Sequence, residues 1–142
     1  MSNDTYIFTI SDGDDYLAEI AISGSINLYG LAEHIIDTIG FDFDHAFGFY
    51  DNLINPYRSS EVYTLFNDME DSEDDDPGVQ KTFIQEVFEP KKKMIFLFDY
   101  GDDWQFLITC TAIQPRSDKK KIRQVLSTKG PQPEQYPEPD DD

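Results

Sequence analysis

Two apolar runs, residues 94–100 (MIFLFDY) and 104–113 (WQFLITCTAI), are separated only by Gly101, Asp102 and Asp103. Runs of this length, rich in aromatic and β-branched residues and bounded by turn chemistry, read as strands. A Gly-Asp-Asp connection folds them back on each other as an antiparallel hairpin. Both faces of each run are largely apolar instead of alternating with polar residues, so both faces must be covered. The rest of the chain has to supply that cover.

It carries the pieces to do so. Residues 5–10 and 16–22 form a second expected hairpin, with Tyr6, Phe8 and Ile10 on one face and Ala18, Ile20 and Ile22 on one face of the partner. Between them, Asp12, Gly13, Asp14 and Asp15 favour a reversing turn; the spacing lacks the sixth-position Gly and distal Glu of a calcium loop. A helix is predicted over 28–39, with Asn27 as N-cap and Gly40 closing it. Its stripe is Leu28, Leu31, Ala32, Ile35, Ile36 and Ile39. Gly30 weakens such a helix by about 1 kcal/mol relative to Ala, and His34 falls off the stripe, as a boundary residue would. Short strands are expected at 46–50, 63–66 and 122–127, and a short helix or strand at 80–88. The resulting order, ββαβ…ββ, predicts an α+β fold: a mostly antiparallel twisted sheet with a helix packed across it, a β-grasp-like roll. One domain over 1–127 is expected, interrupted by an acidic loop at 68–78 and followed by a Pro-rich acidic tail at 128–142, partly disordered.

Charge narrows the functional classes. The chain has 29 Asp and Glu against 11 Lys and Arg, a formal net charge of −18. A field of that sign repels phosphate backbones and anionic membranes, so no direct nucleic-acid binding and no membrane association are expected. The clusters Lys91-Lys92-Lys93 and Lys119-Lys120-Lys121 with Arg123 read as solvated turns or strand edges. No run approaches the ~20 apolar residues of a membrane span, and the first four residues do not open a signal peptide. The lone Cys110 forms no intramolecular disulfide, and its apolar surroundings mark a buried thiol; both suit a cytoplasmic setting. The natural partners are basic proteins or cations, with self-association through an exposed strand edge as a further expectation.

Three stretches resemble the plasmid pRiA4b ORF-3-like family. Ile26 to Phe41 is similar to that family's I-T-L-x-x-L-H-x-x-I-Q-x-x-x-G-W, with Phe41 in place of the Trp. Asp42, Phe43, Asp44, His45, Ala46, Phe47, Gly48 and Phe49 resemble D-D-x-H-L-H-x-F. Phe96 to Trp104, carrying Asp99-Tyr100-Gly101-Asp102-Asp103-Trp104, resembles Y-x-Y-D-F-G-D-D-W-x-H and is the most specific of the three. Two His positions of the pattern are occupied here by Phe47 and Phe106, which are expected to pack together as core. The resemblance implies no established activity; it implies a setting among mobile elements or in host defence. Some relatives carry a resolvase label, but a serine recombinase needs an Arg cluster and a basic DNA-binding module. The three arginines here, Arg58, Arg116 and Arg123, are scattered among the acids.

The candidate constellation is Asp42, Asp44 and His45 with Asp99, Asp102 and Asp103. If the segment after the helix and the second hairpin turn share one end of the sheet, these groups converge. Oxygen-rich clusters suit magnesium, calcium or manganese, one His admits a transition metal, and crowded carboxylates serve as general acids. The structural alternative makes the same residues turn and cap groups. Trp104, Tyr100 and Tyr50, with Tyr57, form a candidate aromatic surface for a peptide. No cofactor beyond a divalent cation is implied. Two functions are therefore expected: a non-catalytic acidic interaction module, in its sharpest form a DNA mimic, or a metal-dependent hydrolase using Asp42, Asp44, His45, Asp102 and Asp103.

Overall fold

A computed structural model describes residues 4–65, 78–116, 120–133 and Gln135. In chain order these form β1 (Thr5–Ser11), β2 (Leu17–Ser23), α1 (Leu28–Ile39), β3 (Phe47–Tyr50), a 3-10 turn (Pro56–Arg58), β4 (Val62–Thr64), α2 (Ile84–Val87), β5 (Lys93–Phe98), β6 (Trp104–Gln114) and β7 (Arg123–Lys129). The acidic segment at 68–76 lies outside the described residues.

All seven described strands join one sheet, ordered β4-β3-β5-β6-β1-β2-β7, in which every neighbouring pair is antiparallel. The two expected hairpins are its centre, joined edge to edge by β1 against β6, where Ile10 faces Ile108 and Thr5 faces Gln114. The ends of the first hairpin hold for the reasons the sequence suggests. Ser11 Oγ accepts from Gly13 N at 3.1 Å, Asp12 Oδ1 accepts from Asp14 N at 2.8 Å, and Gly13 sits at φ 88°. This is side-chain turn chemistry.

Helix α1 has the predicted bounds. Asn27 Oδ1 accepts from Gly30 N, and Gly40 closes the helix in the left-handed region with its N–H on Ile36 O. Leu28, Leu31, Ile35, Ile36 and Ile39 are fully buried in the same core cluster as Phe8, Ile10, Ile20, Ile22, Phe96 and Phe106. Ile95 and Leu97 point to the other face of β5 and are buried too, so the central strand is covered on both sides.

Two local expectations change. His34 is not a boundary residue: it is 6% exposed and its Nε2 lies 3.1 Å from Gln124 O, because β7 closes over that side of the helix. β7 itself continues to Lys129, two residues past the strand end expected at 127. Gln132 and Gln135 then meet the exit of α1. The Gln132 amide donates to Ile39 O, and Gln135 accepts from Asp42 N at 2.7 Å while donating to Asp42 O at 3.1 Å. Primary amides carry both a donor and an acceptor, which suits them to the backbone groups a helix end leaves open.

Candidate functional site

Strand register gathers several acidic turns at one end of the sheet. Ser11 pairs with Leu107 and Leu17 with Lys129, so the β1–β2 turn and the β5–β6 turn project from the same end. The exit of α1 is there as well, since Tyr16 Oη donates to Thr38 O and Asp99 N donates to Ala46 O. Asp12, Asp14, Asp15, Asp37, Asp42, Asp44, Asp99, Asp102 and Asp103 all belong to this end, with His45 and Lys129 among them. At the other end lie Lys91, Lys92 and Lys93, beside Cys110, and Arg123, paired with Ile22, together with acids of their own: Glu61 on Lys92, Glu33 on Arg123, Asp4 beside Gly24 and Glu86 at Phe83 N. The acids visible as separate pairs in the sequence thus converge on one folded face.

Asp99 organises that end. It is buried and holds φ 63°, with its carboxylate accepting from Gly101 N at 3.2 Å and Asp102 N at 3.3 Å. Asp103, at φ 56°, donates its N–H to Asp99 O. Asp tolerates the left-handed region better than most side chains because its short carboxylate bonds locally. The other Asp99 oxygen lies 3.3 Å from His45 Nε2, which is also 3.6 Å from Asp44 Oδ1. Asp44 accepts in addition from Gln135 Nε2 at 3.1 Å.

Of the six expected site residues, Asp44, His45 and Asp99 therefore touch. Asp42 joins them through its backbone bonds to Gln135, Asp102 is bound by its N–H, and Asp103 accepts from Gln105 Nε2 at 3.1 Å. Among the described residues, no group of three or more His, Cys, Asp or Glu side chains is placed to hold a metal ion. His45 also borders a shallow cleft of ≈ 300 Å³ lined by Tyr29, Phe43, Asp44, Ala46, Phe47 and Leu65. Gln135 is the member that the candidate set missed; it lies 93 residues from Asp42 in sequence.

The expected aromatic surface is divided. Phe98 pairs with Trp104 and Tyr50 with Ile95, so strand alternation sends Trp104 and Tyr50 to opposite faces. Trp104 packs on Phe41 at 5.0 Å and Phe106 at 5.9 Å between ring centroids, with its indole N–H buried and unbonded. Tyr50 and Tyr100 meet hydroxyl to hydroxyl at 2.6 Å over Gly48, and burial pushes both phenols above their ordinary pKa. Phe47 and Phe106 are both fully buried in one core, with the Phe96 ring between them at 5.8 and 6.4 Å. No helix among the described residues is long and apolar enough to cross a membrane.

Comparison with solved structures finds a crystal structure of protein of unknown function MM3350 from Methanosarcina mazei Go1, with a TM-score of 0.67 at 15% identity over 90% of this chain and 71% of that one. At that identity the likeness is one of fold. No curated protein matches the chain. The sequence profile described as plasmid pRiA4b ORF-3-like protein matches residues 17–136, the span that holds α1, the Asp99 turn and the docked Gln135. The chain belongs to the plasmid pRiA4b ORF-3-like family.

Proposed function

We propose that this protein is a non-catalytic interaction module whose acidic sheet end engages a basic protein partner, in an accessory role tied to mobile elements or host defence. The observation that carries the reading is the gathering of Asp12, Asp14, Asp15, Asp42, Asp44, Asp102 and Asp103 on turns at one end of a rigid sheet. Fixed like charges of this kind raise association rates with a complementary surface and penalise wrong partners. The scaffold is read as α1 laid across one face of the sheet, from the core its stripe shares with β1, β2, β5 and β6. The mobile-element setting rests on the family description, and a cytoplasmic location fits the buried lone thiol. His45 and Asp99 serve here as turn and loop anchors.

The test is capture of basic proteins at low ionic strength by the full chain and by a variant with Asp42, Asp44, Asp102 and Asp103 changed to Asn. Salt-sensitive capture that the variant loses supports the module. Equal capture by both proteins, or none by either, overturns it.

A further inference from the structure

At the end of the sheet opposite the Asp99 turn, a cleft of ≈ 510 Å³ is lined by Ser25, Ile26, Asn27, Phe83, Lys121 and Arg123, with Glu33 and Glu86 at its border. Its charged lining is wholly cationic in a chain of net charge −18. Phe83, 38% exposed, stands at its wall and is tied to Asn27 by a β-bridge. With Ile26 it offers an apolar side beside the two cations.

The cleft accounts for Gly30, which the helix would otherwise do better without. A Cβ there would stand 2.9 Å from Arg123 Nη2 and closer still to Ile26 Cγ2. The missing side chain lets the guanidinium lie over the first turn of α1. Arg123 is held in place by Glu33, whose Oε1 accepts from Nη1 at 2.6 Å, so that carboxylate occupies one side of the fork and leaves the Nη2 side over Gly30. The helix amides are already used: Leu28 N donates to Thr82 O, Tyr29 N to Val79 O, and Gly30 N to Asn27 Oδ1. Anion recognition here therefore falls to Arg123 and Lys121 and not to the helix dipole.

We propose that this cleft binds a small aromatic phosphate, with the ring against Phe83 and Ile26 and the phosphate between Lys121 and Arg123. A planar fork that donates in pairs, beside a compact point charge, is suited to phosphate oxygens. The net negative charge does not prevent this, because charges are screened over about 8 Å at physiological salt.

The experiment is an amide-resolved NMR titration of the full chain at constant ionic strength with phenyl phosphate, inorganic phosphate and phenol. Phenyl phosphate is expected to give saturable shifts at the Asn27 and Gly30 amides, inorganic phosphate the same shifts with weaker affinity, and phenol none. Lys121→Gln and Arg123→Gln each lower the affinity for phenyl phosphate by about tenfold, the loss of one charge-assisted contact. Lys121 is exposed, so its variant keeps the parent's melting temperature and separates binding from folding. The proposal is overturned by the absence of saturable shifts, by unchanged affinity in Lys121→Gln, or by shifts spread evenly to Lys91, Lys92 and Lys93.

Discussion

Asp99 is the side chain over which the fold and the candidate chemistry compete. Asp99→Ala removes the acceptor for Gly101 N at 3.2 Å and Asp102 N at 3.3 Å. These bonds are long, so each is worth about 1 kcal/mol. The substitution also leaves an Ala at φ 63°, a conformation that costs a residue without a local acceptor about 1 kcal/mol more. The expected loss is about 3 kcal/mol by this sum. Asp99→Asn keeps Oδ1 for the turn amides and tolerates the left-handed region, so about 1 kcal/mol or less is expected. Urea unfolding with an unchanged m-value measures both. If Asn proves as damaging as Ala, the charge facing His45, and not the turn, is what Asp99 contributes. An Ala variant within about 0.5 kcal/mol of the parent, the range of an ordinary surface change, would refute the clamp altogether.

Phe96 is fully buried, with the rings of Phe47, Phe49, Phe98 and Phe106 around it, so Phe96→Ala should cost about 3–5 kcal/mol in the same assay. Burial lowers the pKa of His34 below its ordinary 6.5, partly opposed by the Gln124 carbonyl. The unfolded chain then takes up the proton first, so the contribution of His34 to stability is complete above about pH 7 and declines as pH falls through the unfolded value. His34→Gln should flatten the stability profile in that window, and an unchanged slope would refute the assignment. Burial pushes the Cys110 thiol up to about 11; its reaction with a thiol reagent should therefore follow the rate of unfolding, which stopped-flow labelling in the presence and absence of urea checks.

How far the sequence was legible depended on whether a feature was local. Asn27, Gly40 and the apolar stripe define α1 within a few residues of chain, and the helix was read to its ends. The turn between β5 and β6 was read as three residues but spans Asp99 to Asp103, because both aspartates adopt a conformation that glycine advertises and aspartate does not. Hydropathy placed His34 outside the helix stripe, and it could not register that β7, ninety residues on, covers that side. Tyr50 and Trp104 looked like one surface until pairing with Ile95 and Phe98 set their faces. A one-residue change of register would have reversed that answer, and register is fixed by partners distant in sequence.

Register also decides what the charge means. Net charge treats the molecule as one sign, whereas β2 separates the acidic turn beside Leu17 from Arg123 beside Ile22. Leu17 and Ile22 stand five strand rises apart, about 17 Å, or two screening lengths of about 8 Å at physiological salt. Over that distance the acidic end exerts little force on an anion in the Arg123 cleft, and the cleft exerts little on a cationic partner. The two ends should then bind independently. Saturating phenyl phosphate is expected to leave the salt-sensitive capture of basic proteins unchanged, and the fourfold Asn variant to keep the parent's affinity for phenyl phosphate. If phenyl phosphate instead displaces the captured protein, the two ligands share one surface. The assignment of acidic and basic functions to opposite ends of the sheet would then fail, whichever of the two ligands proves specific.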